Sequence, residues 1–339
     1  MQPSPAPPPY VVLLEKLFTA WESMSIAAVA KLGVADCLQS GPKTTAQIAA
    51  ALNLDEDSLY RVMRAIAGSG IFHEGDDRTF SQTPMSALLT SDANPSLRYC
   101  SSMVLDDWYH KGFQAICKTM ENGRTGMENV FGMPLFEFLQ KNPGEAENFN
   151  KGMTDLSSGE APAVIASYDF SGFEHIVDIA GGMGLLLAAI LDSAPKLRGT
   201  LFDMPYVIEQ ARTAPILAPY ADRCAFAGGD FLQEVPAGAD AYIMKHIIHD
   251  WDAERSTRIL SNCRRVMKPG GKLLVVDRVI GPPNQHDDKK FFDIAMMMWP
   301  GGRERSEAEF RTLFQSAGFR VDRIISTPGP HSIVEGTPF

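Results

Sequence analysis

The stretch that decides the fold is Ile176-Val-Asp-Ile-Ala-Gly-Gly-Met-Gly184, in which an apolar run meets a glycine-rich loop. The run predicts a buried strand, and the helix Leu185–Leu191 is expected after the loop. Glycines let such a loop turn tightly and let a ligand approach the N–H groups at the helix N-terminus. A dinucleotide fingerprint would need a third glycine where Leu187 stands. The loop, with Gly181, Gly182 and Gly184, therefore predicts a nucleotide-type site of another kind. Asp178, at the strand end, favours a cationic ligand over a pyrophosphate.

The second half of the chain alternates short β-rich runs with helical segments. This alternation predicts an α/β fold with a parallel, Rossmann-like sheet wound by right-handed crossovers. A late amphipathic helix is expected at Phe310–Ala317, followed by a final strand at Phe319–Ser326. The earlier strands are predicted at Ile176–Ala180, Gly199–Phe202, Cys224–Ala227, Ala241–Met244 and Lys272–Val276.

Residues 10–95 are predicted to form a mainly helical winged-helix region. Two short helices, the first opening with a cap at Thr44, precede a hairpin around residues 71–81. DNA binding is the usual role of a winged helix, but its second helix opens with Asp55, Glu56 and Asp57, which would repel phosphates. We therefore favour a structural or dimerisation role for this region.

Two further strand ends carry groups suited to a nucleoside. Asp203 ends the second strand, and a carboxylate there can accept both hydroxyls of a ribose. The third strand leads to Gly228-Gly229-Asp230-Phe231, which offers an acceptor for an exocyclic amine and an aromatic face for a purine. Each acidic residue alone could be an ordinary turn residue, but three at successive strand ends favour a binding site.

The stretch Ala241-Tyr-Ile-Met-Lys-His-Ile-Ile-His-Asp-Trp251 runs from a predicted strand into a cluster of ionisable side chains. Ligands of open α/β sheets bind just beyond the carboxyl ends of strands. His249 is therefore a candidate general base, since an imidazole titrates near neutral pH. The alternative is a histidine that only caps the strand. His246 competes for the role, and a packed or surface histidine is the expected reading of it.

Composition limits the classes of partner. The 339 residues carry a formal net charge of −10, which argues against nucleic acid or an anionic membrane as a partner. The five cysteines form no CxxC pair and no metal-ligand spacing appears, so neither a disulfide framework nor a metal is expected and a cytoplasmic location is predicted. Residues 1–9 are interpreted as a disordered leader without an export signal.

With these motifs together, the chain resembles the S-adenosylmethionine-dependent O-methyltransferases of small aromatic molecules, including plant caffeate and flavonoid enzymes and bacterial antibiotic-pathway enzymes. The resemblance covers almost the whole chain. It is carried by Val177–Gly184, Leu201–Pro205, Gly228–Phe231, Met244–Trp251, Gly301–Arg305 and Phe149–Met153.

The resemblance implies roles for individual residues. It places His249 as the base, flanked by Asp277 and Glu304, and it implies a homodimer formed through the N-terminal region. The implied cofactor contacts are Asp178, Gly181, Gly182, Gly184, Asp203, Met204, Gly229, Asp230, Phe231 and Lys245. The acceptor contacts expected are Trp108, Phe149, Met153, Asp250, Ile294, Met298 and Trp299.

Three positions depart from the family pattern. Ala180 stands where the family usually has glycine, and Asp277 where it often has the longer glutamate. Leu156 stands where plant phenylpropanoid enzymes have histidine, which argues against phenylpropanoid acceptors.

The expected function is O-methylation of a hydroxylated aromatic molecule. N- or C-methylation on the same fold and a catalytically silent cofactor-binding regulator are the alternatives. The expected domains are the winged helix at 10–95, a helical connector at 96–168 contributing to the acceptor pocket, and the catalytic domain at 169–339.

Overall fold

The structure, a computed structural model, describes residues 7–339. The leader expected at residues 1–9 lies mostly outside the described residues, and the first helix already begins at Pro9. The chain divides into two compact units. The first contains the residues up to His110 together with Pro143–Leu156, and the second contains Lys111–Asn142 and Ser157–Phe339.

The first unit contains the winged helix. Its helices are α1 (Pro9–Leu32), α2 (Val34–Cys37), α3 (Thr45–Leu52), α4 (Glu56–Ala67), α5 (Pro84–Ala87) and α6 (Arg98–Ser102). The strands β1 (Lys43–Thr44), β2 (Phe72–Glu74) and β3 (Thr79–Gln82) form a small sheet in the order β1-β3-β2.

Local sequence signals explain these helix boundaries. Thr44 and Gln47 form a reciprocal capping box at the start of α3, and the Asp55 side chain accepts the N–H of Ser58 at the start of α4. Gly33, with φ +72°, ends α1 in the left-handed conformation that glycine adopts without strain. Gly33 therefore separates α1 from α2.

The connector predicted at residues 96–168 is divided between the units. Its helices are α6 and then α7 (Asp107–Gln114), α8 (Ile116–Asn122), α9 (Gly126–Phe131), α10 (Leu135–Lys141) and α11 (Pro143–Ser167). Residues 96–110 and 143–156 belong to the first unit, and residues 111–142 and 157–168 belong to the second. None of the helices described over residues 7–339 is long and apolar enough to cross a membrane.

The second unit is built on a seven-stranded sheet in the order β11-β12-β8-β7-β4-β5-β6. Its strands are β4 (His175–Ile179), β5 (Arg198–Asp203), β6 (Cys224–Gly228), β7 (Ala241–Lys245), β8 (Lys272–Asp277), β11 (Phe319–Ser326) and β12 (Ser332–Pro338). Two short strands, β9 (Val279–Ile280) and β10 (Arg305–Ser306), form a separate parallel pair.

The sheet is mixed, which corrects the expectation of a parallel sheet ending at Phe319–Ser326. A further strand, β12, follows β11 and pairs antiparallel with both β11 and β8. It inserts between strands that precede it in the sequence, so local patterning could not reveal its place. The Rossmann-like architecture with an N-terminal helical domain is confirmed.

Helices cover both faces of the sheet. They are α12 (Leu185–Ser193), α13 (Pro205–Thr213), α14 (Ala253–Val266) and α16 (Glu307–Ser316), whereas α15 (Asp288–Met298) packs against α9 and β9. One buried cluster joins α12 and α13 to Ile176, Ile243 and Val276. A second joins α14 and α16 to Val177, Tyr242 and Val275. Alternate residues of the central strands enter opposite cores, so the strand ends are held firmly and present their following residues at one edge.

Candidate active site

The glycine loop between β4 and α12 leaves an open space beside a buried carboxyl. Asp178 is 1% exposed, and its Oδ2 has no hydrogen-bond partner among the described residues. A Cβ on Gly181 would lie 2.5 Å from this oxygen, whereas a Cβ on Gly182 would meet nothing within 4 Å. The loop can therefore receive a ligand with a cationic group, which fits S-adenosylmethionine.

The loop also contains the departure from the family pattern noted at Ala180. Its φ is +53°, a left-handed conformation that a glycine would adopt without strain. The Ala180 N–H donates to the carbonyl of Phe202 at 2.7 Å, which helps to hold the turn. One methyl group is therefore accommodated, at some conformational cost.

Asp203 ties the glycine loop to the end of β5. Its carboxylate accepts the N–H of Gly182 at 2.8 Å and the N–H of Met204 at 2.7 Å. Burial raises the pKa of Asp203, although these two hydrogen bonds oppose the shift. The two predicted carboxylates of β4 and β5 thus meet at one loop, as the neighbouring parallel strands require.

At the end of β6, Asp230 and Phe231 occupy a tight turn. The Asp230 carboxylate accepts the N–H of Leu232 at 2.8 Å, so it has a local capping role whatever ligand it meets. The Phe231 ring packs edge-on against Trp251, with centroids 5.8 Å apart. A Cβ on Gly229 would lie 2.8 Å from the Phe202 ring, which explains a glycine there.

Lys245 ends β7 in a buried ion pair. Its Nζ donates to Ser157 Oγ at 2.9 Å and to Glu160 Oε2 at 2.9 Å. Glu160, 7% exposed, also lies 2.8 Å from His246 Nε2. Sequence reasoning missed Glu160, although the residue is the only charge in the apolar and small-residue end of α11, which is a recognisable signal.

His249 is buried beside Glu304. The His249 Nδ1 lies 2.8 Å from Glu304 Oε1, while His249 Nε2 lies 3.6 Å from Asp250 Oδ1. The residue stands in a short 3-10 turn, Ile248–Asp250, which follows β7. Glu304 is thus the acidic residue hydrogen-bonded to the imidazole, and the ring's other nitrogen is left for a different partner.

Asp277, the second residue predicted to flank the imidazole, is hydrogen-bonded to the backbone. Its Oδ1 accepts the backbone N–H of His246 at 3.1 Å. A nitrogen of His249 and one of His246 lie within 4.8 Å of its carboxylate. Asp277 is therefore close enough to interact electrostatically with the His249 imidazole, and it stabilises the backbone at His246.

Burial dominates the protonation of the acidic groups here. It raises the pKa of Asp277 to about 6, that of Asp250 to about 7 and that of Glu304 to about 8. The Arg278 guanidinium, 3.9 Å from Glu304 Oε1, opposes the shift at Glu304. The same guanidinium lies 3.5 Å from the centroid of the Phe292 ring, which stacks on His249 at 6.1 Å.

Arg305 clamps the turn that carries His249. Its guanidinium donates to the carbonyl of Ile248 at 2.8 Å and to that of Trp251 at 2.9 Å. The parallel pair β9–β10 sets Arg305 opposite Val279, so the residues that follow Asp277 and Glu304 run side by side. Neither Arg305 nor Phe292 was predicted as a site residue, because both act through contacts that no local pattern encodes.

The residues expected to contact the acceptor are found in both units. In the first unit the Trp108 and Phe149 rings are in edge contact at 6.1 Å, and Met153 is half-buried. In the second unit Met298 and Trp299 are buried, and Trp299 packs against Phe113 at 5.8 Å. Ile294 and Asp250 are half-buried. Their role towards an acceptor stays a prediction.

Comparison with known proteins agrees with this architecture. The O-methyltransferase domain family matches residues 113–320, and the O-methyltransferase dimerisation domain family matches residues 14–92. The phenazine O-methyltransferase PhzM of Lysobacter antibioticus is 38% identical over 96% of both chains. The mitomycin biosynthesis 6-O-methyltransferase of Streptomyces lavendulae is 37% identical over 93% of this chain and 91% of its own.

One relative is named for methylation of nitrogen, and one similar structure was solved with a ligand bound. The phenazine-1-carboxylate N-methyltransferase of Pseudomonas aeruginosa is 32% identical over 93% of both chains. The crystal structure of CalO1, a methyltransferase in calicheamicin biosynthesis solved with S-adenosylhomocysteine, superposes with a TM-score of 0.88 at 34% identity, covering 97% of this chain and 98% of its own.

A methyltransferase sheet with a glycine loop and an N-terminal dimerisation domain defines the class. The chain belongs to the S-adenosylmethionine-dependent O-methyltransferase family, and S-adenosylmethionine is its cofactor.

The buried Asp178 carboxyl should make the stability of the protein depend on pH. Burial raises the pKa of its carboxyl from 3.8 to about 7, so the folded protein binds this proton more tightly than the unfolded chain does. The resulting stabilisation is present below the unfolded pKa and is lost as pH rises to about 7. Asp178→Asn removes that titration. We expect the free energy of unfolding of the variant minus that of the wild type to increase as pH rises from 5 to 7. Both values are measured by urea titration without cofactor.

The exposed Asp222 supplies the control, because Asp222→Asn changes the same group at the surface. Its unfolding free energy should follow the wild type at every pH. Identical pH dependence for Asp178→Asn and the wild type would contradict the account of Asp178.

Proposed function

We propose that this enzyme methylates a hydroxyl group on an aromatic small molecule, with His249 as the general base. The observation that carries the proposal is the buried His249–Glu304 pair, with Nδ1 and Oε1 2.8 Å apart. Two relatives are named after the secondary metabolites phenazine and mitomycin, which supports an aromatic small molecule as the acceptor. Bound S-adenosylmethionine supplies an electrophilic methyl group.

Proton removal is the step that these residues are suited to perform. A neutral phenol is a weak nucleophile, so a base within hydrogen-bond reach of its oxygen accelerates methyl transfer. An ionised Glu304 accepts the Nδ1–H of His249, which leaves a lone pair on Nε2 to take the phenolic proton. Glu304 then stabilises the imidazolium that forms, as the carboxylate of a catalytic triad does.

Several groups hold the base in place. Arg305 anchors the turn on either side of His249 through the carbonyls of Ile248 and Trp251, and Phe292 stacks on the imidazole. The base is therefore fixed by backbone hydrogen bonds and ring packing rather than by a mobile loop. Such positioning supports an in-line displacement, in which the alignment of the nucleophile supplies much of the rate.

We further propose that the cofactor lies along the strand ends of β4, β5 and β6. Asp178 and the glycines Gly181, Gly182 and Gly184 line its methionine end, and Asp203 takes the ribose. Met204, Gly229, Asp230 and Phe231 surround the adenine, and Lys245 completes the cofactor contacts. This arrangement is supported by the open space at Gly182 and by the unpartnered oxygen of Asp178.

The base assignment predicts a separation between binding and turnover. In His249→Ala we expect kcat to fall by about 10²–10⁴-fold, because general-base catalysis contributes that much. Cofactor affinity, measured by isothermal titration, should change less than about twofold, since His249 acts on the acceptor. His286→Ala, at a histidine whose side chain is 74% exposed, is the control and should keep full activity. Full turnover by His249→Ala would leave a purely positional mechanism.

The same variant separates O-methylation from N-methylation, which the Pseudomonas aeruginosa relative makes the second candidate. An unprotonated ring nitrogen needs no base. Survival of N-methyl products with loss of O-methyl products in a mass-spectrometric panel of aromatic acceptors would show that the chain accepts both.

Glu304 predicts the pH dependence of the reaction. Burial raises its pKa to about 8, and only its ionised form can accept the Nδ1–H of His249. Below that pH a protonated Glu304 would donate to Nδ1 and leave the wrong tautomer for base catalysis. We therefore expect kcat/KM to rise with pH towards about 8. In Glu304→Gln this rise should be weakened and the rate lowered at pH 8, whereas an unchanged profile would contradict the pairing.

We also propose that the enzyme is a homodimer formed through α1. The helix exposes an apolar stripe at helical spacing, in which the Leu13, Leu17 and Trp21 residues are each at least 60% exposed. The Phe18 and Trp21 rings stack on each other at 4.6 Å and widen this stripe. Monomers rarely leave such a patch in water, and the match to a dimerisation domain supports a second copy as its occupant.

The dimer predicts the mass in solution. The wild type should elute in light-scattering chromatography near twice 37.1 kDa. Leu17→Glu places a charge in the stripe and should yield monomers at micromolar concentration. Met120→Glu, at an exposed apolar residue of α8, is the control and should stay dimeric. A monomeric wild type, or a dimeric Leu17→Glu, would contradict the α1 interface.

A further inference from the structure

A buried carboxylate that none of the predicted roles uses lies behind the end of β7. Glu160 holds three side chains: its Oε2 lies 2.9 Å from Lys245 Nζ and 2.8 Å from His246 Nε2, and its Oε1 lies 3.5 Å from His331 Nδ1. Ser157, one helical turn earlier in α11, accepts a second hydrogen bond from Lys245. One carboxylate therefore organises both residues at the point where β7 ends.

The charges at this cluster are set by burial. Burial lowers the pKa of His246 well below its ordinary value and that of His331 to about 2, so both imidazoles are neutral. A neutral His246 donates its Nε2–H to Glu160. Lys245 is then the cation that balances the carboxylate. Glu160, His246 and His331 are close enough to hold a metal ion, but an added cation would be repelled by the Lys245 ammonium.

The backbone explains why His246 needs to be held. Its φ is +59°, a left-handed conformation that is strained for a non-glycine residue. Its N–H lies 3.2 Å from the carbonyl of Val276 and 3.1 Å from Asp277 Oδ1. The turn is thus gripped at its backbone by β8 and at its ring by Glu160, three residues before His249.

We propose that Glu160 is a positioning residue for methyl transfer. It acts on the cofactor side by fixing Lys245, and on the base side by fixing the His246 turn from which His249 projects. The inference rests on the proposed function, because it gives Glu160 its effect through those two residues.

Glu160→Gln tests the role, since it keeps the shape and removes the charge. The amide oxygen can still accept from Lys245 and His246, but it leaves the buried Lys245 ammonium without its balancing charge. We expect the dissociation constant for S-adenosylmethionine, measured by isothermal titration, to rise about tenfold, and kcat to fall by at least a similar factor through misplacement of the base. Glu160→Asp keeps the charge with a shorter reach and should restore cofactor affinity more than kcat.

Glu335→Gln is the matched control. Glu335 is 4% exposed, and its Oε2 accepts from Tyr168 at 2.6 Å and from Arg323 at 2.9 Å, on β12 opposite Leu274. This variant should lower the melting temperature while leaving cofactor affinity and kcat unchanged. Glu160 has no positioning role if Glu160→Gln has the cofactor affinity and the kcat of the wild type. It also has none if Glu160→Gln and Glu335→Gln lose function only in proportion to their loss of stability.

The cofactor titration separates failure of this inference from failure of the proposed function. It needs no acceptor, so a wild type without turnover on aromatic hydroxyls would contradict the proposed function alone. Unchanged cofactor affinity in Glu160→Gln would overturn the action through Lys245, and unchanged kcat in an active background would overturn the action through His246. If Glu160→Gln does not fold, Glu160→Asp carries both measurements, and a wild-type kcat in that variant would overturn the proposal.

Discussion

The carbonyl oxygen of His249 lies against Gly302, and a Cβ at that position would overlap it. Because glycine leaves this space, the Arg303 N–H reaches the same carbonyl at 2.8 Å. The next residue, Glu304, is then brought to the His249 imidazole, and Arg305 reaches the carbonyls beside it. The distance between base and carboxylate thus depends on one backbone contact that only glycine permits.

The contact between Gly302 and the His249 carbonyl joins two segments that lie more than fifty residues apart in the sequence, with little help from strand pairing. The β9–β10 pair has only two residues in each strand, yet it sets the register that brings Glu304 beside the end of β8. Asp293 accepts the Glu304 N–H at 2.7 Å and adds a hold from α15. Buried groups so closely spaced must satisfy one another, which limits the orientations that the imidazole can take.

Much of the fold followed from sequence because its signals are local. The strand–glycine loop–helix unit and the caps at Thr44 and Asp55 need only neighbouring residues to be recognised. The position of β12 did not follow, since a strand's place in a sheet depends on pairing with β8, far earlier in the chain.

The candidate site divides in the same way. His249 and Asp178 could be predicted because one follows a strand and the other lies near a strand's end, which places both at one edge of the sheet. Glu304 came only from family resemblance, and Glu160, His331 and Phe292 were missed. These residues reach the site from helices and loops, so their role depends on tertiary packing that no spacing in the sequence encodes.

The strand order gives the β6 end and the β7 end of the site different free energies of local opening. β6 is an edge strand that pairs only with β5, whereas β7 has a neighbour on each side. Edges of a sheet fray at low free energy, while central strands open only with the whole domain. The proposed adenine end of the cofactor site therefore lies at the edge of the sheet, where opening requires less free energy than at its centre. The proposed base follows β7, a strand with a partner on each side, so it stands on a part of the sheet that opens less easily.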